Sequence, residues 1–211
     1  LRTAVVYVHG LWLTGFEGGL LRRRLARSLN AQTFTFTYPS VRSDVTANAL
    51  SLTRYLGDLA VDTLHVAGHS LGGLVVLKAF ESLAESALPP GRLVLLGSPL
   101  QGSVTAQRAA RLPFGKSILG MGVREELLQT GLRTWRGRRE LAVIAGTLSV
   151  GLGRLLGPHE APSDGTVFLE ETQLQGAADH LAVRVSHTGL PFSKEVARQT
   201  GAFFKTGRFI R

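Results

Sequence analysis

Short apolar runs of strand length alternate with helix-spaced segments, and this rhythm constrains the fold more than any other feature of the chain. The runs are Ala4–Val8, Gln32–Tyr38, Thr63–Ala67, Arg92–Leu96, Leu141–Ala145 and Leu181–Val185. Several are apolar on both faces, as strands covered on both sides must be. Between the first four lie three segments of helical period: Leu20, Leu21, Leu25 and Leu29 around Arg22–Arg24; Val45, Leu50, Leu52, Tyr55 and Leu56 behind Ser43 or Asp44 as N-cap; and Leu74, Val75, Leu77, Phe80 and Leu83. Strand, helix, strand in repetition requires right-handed crossovers and a mostly parallel sheet with helices on both faces. The expected class is therefore α/β, a doubly wound sheet of six strands.

The rhythm breaks after Pro99. From Leu100 to Glu140 no strand pattern appears, only helix-compatible patches around Ala106, Leu112, Phe114, Ile118, Leu127, Leu132 and Trp135. Structureless connections of that length are uncommon and often functional, so residues 100–140 are a candidate helical cap or lid, the alternative being two ordinary packing helices. A last helix, Pro191 to Phe204, has proline at its start, where helices tolerate it. With 211 residues and no linker or repeat, the expectation is a single domain, 1–211.

The absence of cysteine excludes disulfides, thiolate metal sites and cysteine nucleophiles. The net charge of +9 comes from arginine, 20 against four lysines, scattered along the chain. Its densest runs, Arg22–Arg24 and Arg133 to Arg139, read as solvated surface rather than as a nucleic-acid-binding motif, so no nucleic-acid partner is expected. No metal cluster or nucleotide loop is present, and no cofactor is expected. The most apolar long stretch, Leu141–Leu156, is broken by glycines and falls short of the roughly 20 residues that span a bilayer, so no integral membrane segment is expected. The first strand begins by Ala4, leaving no room for a signal segment; this favours the cytoplasm, although a removed signal would leave no trace. Oligomeric state is not readable from these features.

The chemistry centres on Gly68-His69-Ser70-Leu71-Gly72, followed by Gly73, between a buried strand and a helix. In that context G-x-S-x-G places a serine on a strained turn whose flanking glycines remove clashing Cβ atoms. A phosphate loop is excluded, because Leu74-Val75 stands where Lys-Ser/Thr is needed. A serine hydroxyl is a poor nucleophile at neutral pH without a base and a group to orient that base. Among six histidines, His9 and His69 belong to other motif positions, His65 lies inside a strand and His159 precedes the presumed acid. His180 begins the last strand, whereas His187 follows it, at the sheet edge to which Ser70 belongs, and is the better base. Asp164, in the turn Pro162-Ser163-Asp164-Gly165, is the best orienting acid; Asp179 leads into the last strand, Glu160 is a weaker candidate, and an Asx-turn role is the plain alternative for Asp164. Oxyanion donors are expected from the backbone N–H of Leu71, at a helix N-terminus, and of Leu11, after His9-Gly10. Trp12 and Phe114 are candidates for an acyl pocket, although apolar side chains near strand ends more often join the core.

Taken together, Val8-His9-Gly10-Leu11, Gly68–Gly73, Gly97-Ser98-Pro99-Leu100-Gln101-Gly102-Ser103, Ser163-Asp164-Gly165-Thr166-Val167 and Ser186-His187-Thr188 resemble the α/β-hydrolase superfamily, in particular its compact bacterial lipase and esterase branch. The resemblance implies that the first strand here corresponds to the family's third, in a six-stranded sheet of order 2-1-3-4-5-6. It also implies hydrolysis of an acyl ester, a small molecule or a lipid, through an acyl-enzyme on Ser70, the alternatives being a thioesterase, amidase or acyltransferase on the same fold or a catalytically silent binding module.

Overall fold

A computed structural model describes residues 1–82, 88–115, 119–120, 126–128, 131, 133–151 and 161–211. Leu83, Ile118, Leu132, His159, Glu160 and the end of the apolar stretch, Leu152–Leu156, lie outside the described residues.

Six strands form one sheet: β1 (Thr3–Val8), β2 (Gln32–Phe36), β3 (Thr63–His69), β4 (Leu93–Leu96), β5 (Leu141–Gly146) and β6 (Asp179–Val183). Their order is β2-β1-β3-β4-β5-β6 and every pairing is parallel. The described residues include five α-helices: α1 (Gly19–Leu29), α2 (Val45–Gly57), α3 (Leu71–Ser82), α4 (Val104–Ala110) and α5 (Lys194–Thr206).

Alternation along the strands divides the core between the two faces. Ala4, Val6 and Val8 of β1, Leu64 and Val66 of β3, and Leu93 and Leu95 of β4 meet α2 and α3 on one side. Val5, Tyr7, Ala67, Val94 and Leu96 meet α1 and α5 on the other. Each fully buried aliphatic side chain contributes about 2 kcal/mol relative to exposure, so slipping one strand by a residue would exchange partners on both faces at once.

The strand ends follow from pairing, which sequence patterning does not encode. β2 stops at Phe36 because its neighbour β1 ends opposite it at Val8. β6 occupies Asp179–Val183 rather than Leu181–Val185, since β5 ends at Gly146 opposite Val183. Asp44, not Ser43, caps α2, its Oδ1 accepting the Ala47 N–H at 2.6 Å. Pro191 belongs to a separate 3-10 turn, Leu190–Phe192; Ser193 is extended behind it and caps α5 through the Val196 N–H at 3.3 Å. None of the described helices is long and apolar enough to cross a membrane.

Candidate active site

Ser70 follows β3 directly, opens α3 and has φ 54. A non-glycine residue in this left-handed region carries strain of order 1 kcal/mol or more. The turn is held by the Ser70 N–H on the Leu96 carbonyl at 2.9 Å and the Gly73 N–H on the Ser70 carbonyl at 3.0 Å. A methyl group on Gly68 would stand 2.7 Å from Gly73 Cα, and one on Gly72 would stand 2.4 Å from the Val8 and His9 carbonyl oxygens. The glycines around Ser70 are thus dictated by how tightly α3 is drawn against β1 and β3.

His187 is buried at the end of the loop after β6 and faces both polar partners. Its Nδ1 lies 2.7 Å from Asp164 Oδ2, and its Nε2 lies 3.0 Å from Ser70 Oγ. With an ionised carboxylate beside it, Nδ1 carries the proton and Nε2 is left to accept the Ser70 hydroxyl. The backbone repeats the link, the His187 N–H donating to the Asp164 carbonyl at 2.9 Å. Asp164 is buried too, and its Oδ1 accepts the N–H groups of Thr166 and Val167 at 2.9 and 2.8 Å. It is therefore an Asx-turn residue and a histidine partner at once, one oxygen for each. His180 stands apart from this group, its Nε2 2.9 Å from Thr172 Oγ1.

Two supporting residues escaped the sequence reading. His69, fully enclosed, donates from Nε2 to the His187 carbonyl at 3.1 Å, and its ring lies 4.9 Å from the His187 ring. Burial, with the neighbouring His187 adding to it, pushes His69 down to about 3, so it stays neutral. Its place beside the serine was the only available signal. Glu171, also buried, accepts the N–H of Val104 at 2.5 Å and of Phe168 at 2.8 Å, joining the Asp164 turn to the start of α4. Burial raises its pKa against the pull of those two donors.

Gly10 packs directly behind Ser70, where a methyl group would lie 3.1 Å from Ser70 Cβ. The N–H groups of Leu11 and Leu71 make no hydrogen bond with another described group. The first follows a peptide that is firmly held. Tyr38 donates its N–H to His9 Nε2 at 3.2 Å and its hydroxyl to the His9 carbonyl at 2.7 Å, and the two rings stack at 4.3 Å. Because Nε2 accepts, Nδ1 must carry the proton, which it gives to the Gly10 carbonyl at 2.8 Å. A planar trans peptide aims its N–H opposite its C=O, so fixing Gly10 oxygen also fixes the direction of the Leu11 N–H.

Trp12 and Phe114 do not join the core. They are 57% and 83% exposed, with φ of 59 and 61. Both stand in the left-handed region, and the Trp12 N–H is tied to Ser40 Oγ at 3.1 Å. A cavity of about 610 Å³ lies at the opposite sheet edge, between Thr63, His65, Arg92, Arg139 and Phe204. It is remote from Ser70. No group of three or more His, Asp or Glu side chains among the described residues could hold a metal ion.

The fold is similar to that of the mature lipase BlEst2 of Bacillus licheniformis, with TM-score 0.69, 18% identity, and coverage of 99% of this chain and 93% of that one. It is also similar to the metagenomic carboxyl esterase MGS0156, with TM-score 0.65, 20% identity and coverage of 98% and 71%. The thioesterase RedJ of the prodiginine pathway in Streptomyces coelicolor gives TM-score 0.60, 14% identity and coverage of 96% and 85%. At these identities the likeness is one of fold. No curated protein matches the sequence significantly. The alpha/beta hydrolase family model matches residues 5–201, and with the parallel six-stranded sheet and the serine turn at its edge, the chain belongs to the alpha/beta hydrolase family.

Proposed function

We propose that this protein is a serine hydrolase that cleaves carboxylic esters through an acyl-enzyme on Ser70. The observation that carries the reading is the unbroken hydrogen-bonded line from Asp164 through His187 to Ser70, at 2.7 and 3.0 Å. His187 Nε2 takes the hydroxyl proton as Ser70 Oγ attacks the ester carbonyl carbon. The resulting oxyanion is held by the N–H groups of Leu11 and Leu71, each such donor supplying about 3 kcal/mol, with the α3 dipole assisting the second. The protonated His187 then gives its proton to the departing alkoxide, and collapse leaves the acyl group on Ser70. Water, deprotonated by the same nitrogen, attacks that acyl group; Ser70 regains its proton as the acid leaves. Asp164 keeps His187 in the required tautomer and stabilises its cation. None of these steps calls for a cofactor.

The substrate is an acyl ester, small molecule or lipid, a reading supported by the lipase and the carboxyl esterase among proteins of the same fold. The described part of residues 100–140 acts as a cap on the single domain 1–211. This is supported by α4, which is tied to the Asp164 turn by Glu171 and by the Thr105 hydroxyl on the Thr166 carbonyl at 2.6 Å. Trp12 and Phe114, exposed and apolar, line the approach of the acyl chain.

The test is hydrolysis of p-nitrophenyl esters of increasing chain length by the native chain and by Ser70→Ala, His187→Ala and His180→Ala. Turnover abolished by the first two changes and spared by the third is expected. Turnover that survives Ser70→Ala ends the proposal. The presence of a thioesterase among proteins of this fold sets the second reading; a native chain that ignores oxygen esters but cleaves acyl thioesters would select it.

A further inference from the structure

The outer side of α1 and the turn before it combine two properties that soluble surfaces normally keep apart. Phe16 is 91% exposed, Leu20 39% and Phe192 48%. The pairs 16/20, 20/23, 20/24, 23/27 and 24/27 are three or four residues apart and so share one side, while Leu21 and Leu25 point into the core. The side below the apolar head is entirely guanidinium: Arg23, Arg24 and Arg27. Arg24 Nη1 donates to the Phe192 carbonyl at 2.6 Å, fastening the loop after His187 to this surface. Glu195, three residues past Phe192, is paired with Arg198. The first 43 residues hold six arginines and one acidic residue, Glu17, whose carboxylate is turned inward onto the Tyr7 hydroxyl and the Gly15 N–H.

An apolar patch left in water beside a cationic strip matches one kind of partner, a layer whose interior is apolar and whose surface is anionic. We propose that this face docks onto an anionic phospholipid surface. Phe16, Leu20 and Phe192 enter the apolar layer, and Arg23, Arg24 and Arg27 lie among the headgroup phosphates. Phe16 is six residues beyond Gly10 and Phe192 five beyond His187, so docking brings the sheet edge that carries Ser70 to the lipid. The docking itself does not depend on ester hydrolysis.

Sedimentation of the Ser70→Ala chain with vesicles, across a salt series, tests this without turnover. Vesicles of phosphatidylcholine mixed with phosphatidylglycerol should retain the protein, with binding that salt weakens; phosphatidylcholine alone should retain it at least about tenfold less. Phe16→Asp should lower the affinity about tenfold, and Arg23→Gln and Arg27→Gln about fivefold each, with unchanged circular dichroism and Tm showing that the variants fold. Absent binding, equal binding to both vesicle types, or binding indifferent to these changes overturns the proposal. So does a concentration-dependent dimer that Phe16→Asp dissociates, since the face would then belong to a second copy of the chain. A protein that binds anionic vesicles yet cleaves no ester would refute the hydrolytic reading and leave this one standing.

Discussion

Gly97 lies against both members of the Asp164–His187 pair: a methyl group there would stand 3.1 Å from Asp164 Oδ2, 3.3 Å from His187 Nδ1 and 2.6 Å from Leu190 Cδ1. The residue also has φ +55, a conformation that side chains resist. Gly97→Ala therefore wedges the acid and base apart while straining the backbone. We expect kcat/KM to fall by about 100-fold or more, since misplacement on the ångström scale is sufficient for that. The rate of Ser70 labelling by a fluorophosphonate should fall in parallel. Undiminished labelling in the folded variant would show that the pair tolerates the intrusion.

The His9 tautomer makes opposite forecasts for two substitutions. Asparagine can place an amide N–H where His9 Nδ1 gives its proton to Gly10, whereas glutamine reaches the Nε2 position and meets Tyr38. His9→Asn should retain most of kcat. His9→Gln should lose about tenfold in kcat with little change in KM, as expected when only a transition-state donor is misdirected. Equal losses in the two variants would detach the Leu11 N–H from this network.

Removing the Glu171 side chain takes away the acceptor of the Val104 and Phe168 N–H groups, both in part-buried hydrogen bonds. Glu171→Ala should lose about 1–3 kcal/mol in urea unfolding, and Glu171→Gln, which keeps an acceptor, less. The pH profile of kcat/KM separates a positioning role from a purely structural one. Loosening the Asp164 turn should displace its acidic limb, whereas loss of stability alone would leave it in place.

Stability should decline in mild acid. His65, pushed down to about 4 by burial and by Arg92 and Arg139, and His69, pushed down to about 3, remain neutral in the fold but take up protons near pH 6.5 once unfolded. Between pH 6.5 and about 4 the unfolded chain thus binds more protons than the folded one, and stability falls as pH falls. His65 alone should remove about 3 kcal/mol over that window. Denaturant midpoints measured across it check this, and His65→Gln should flatten the slope. A midpoint independent of pH would contradict the burial of both rings.

Much of this architecture was legible because it depends on periodicity and chain order. Apolar runs mark all six strands, and the turn chemistry around Ser70, Asp164 and His187 singles out those residues within the sequence itself. What escaped depends on long-range partners. The ends of β2 and β6 are set by neighbouring strands. Glu171 reaches across 67 positions to Val104, and His69 across 118 to His187. The apolarity of Trp12 and Phe114 is visible in the sequence, whereas their exposure and positive φ are not.

The strand order has one further consequence. The chain steps from β1 outward to β2 with α1 on one face, then returns past β1 to β3 and proceeds through β4 with α2 and α3 on the other. The winding direction reverses between β1 and β3, and the connections leaving those neighbouring strands diverge to opposite sides of the sheet. In open sheets of this kind such a switch point is where ligands generally bind. Leu11 follows the end of β1 and Ser70 the end of β3. The location of the candidate site is thus inherited from the path of the backbone, which leaves the side chains around it free to vary.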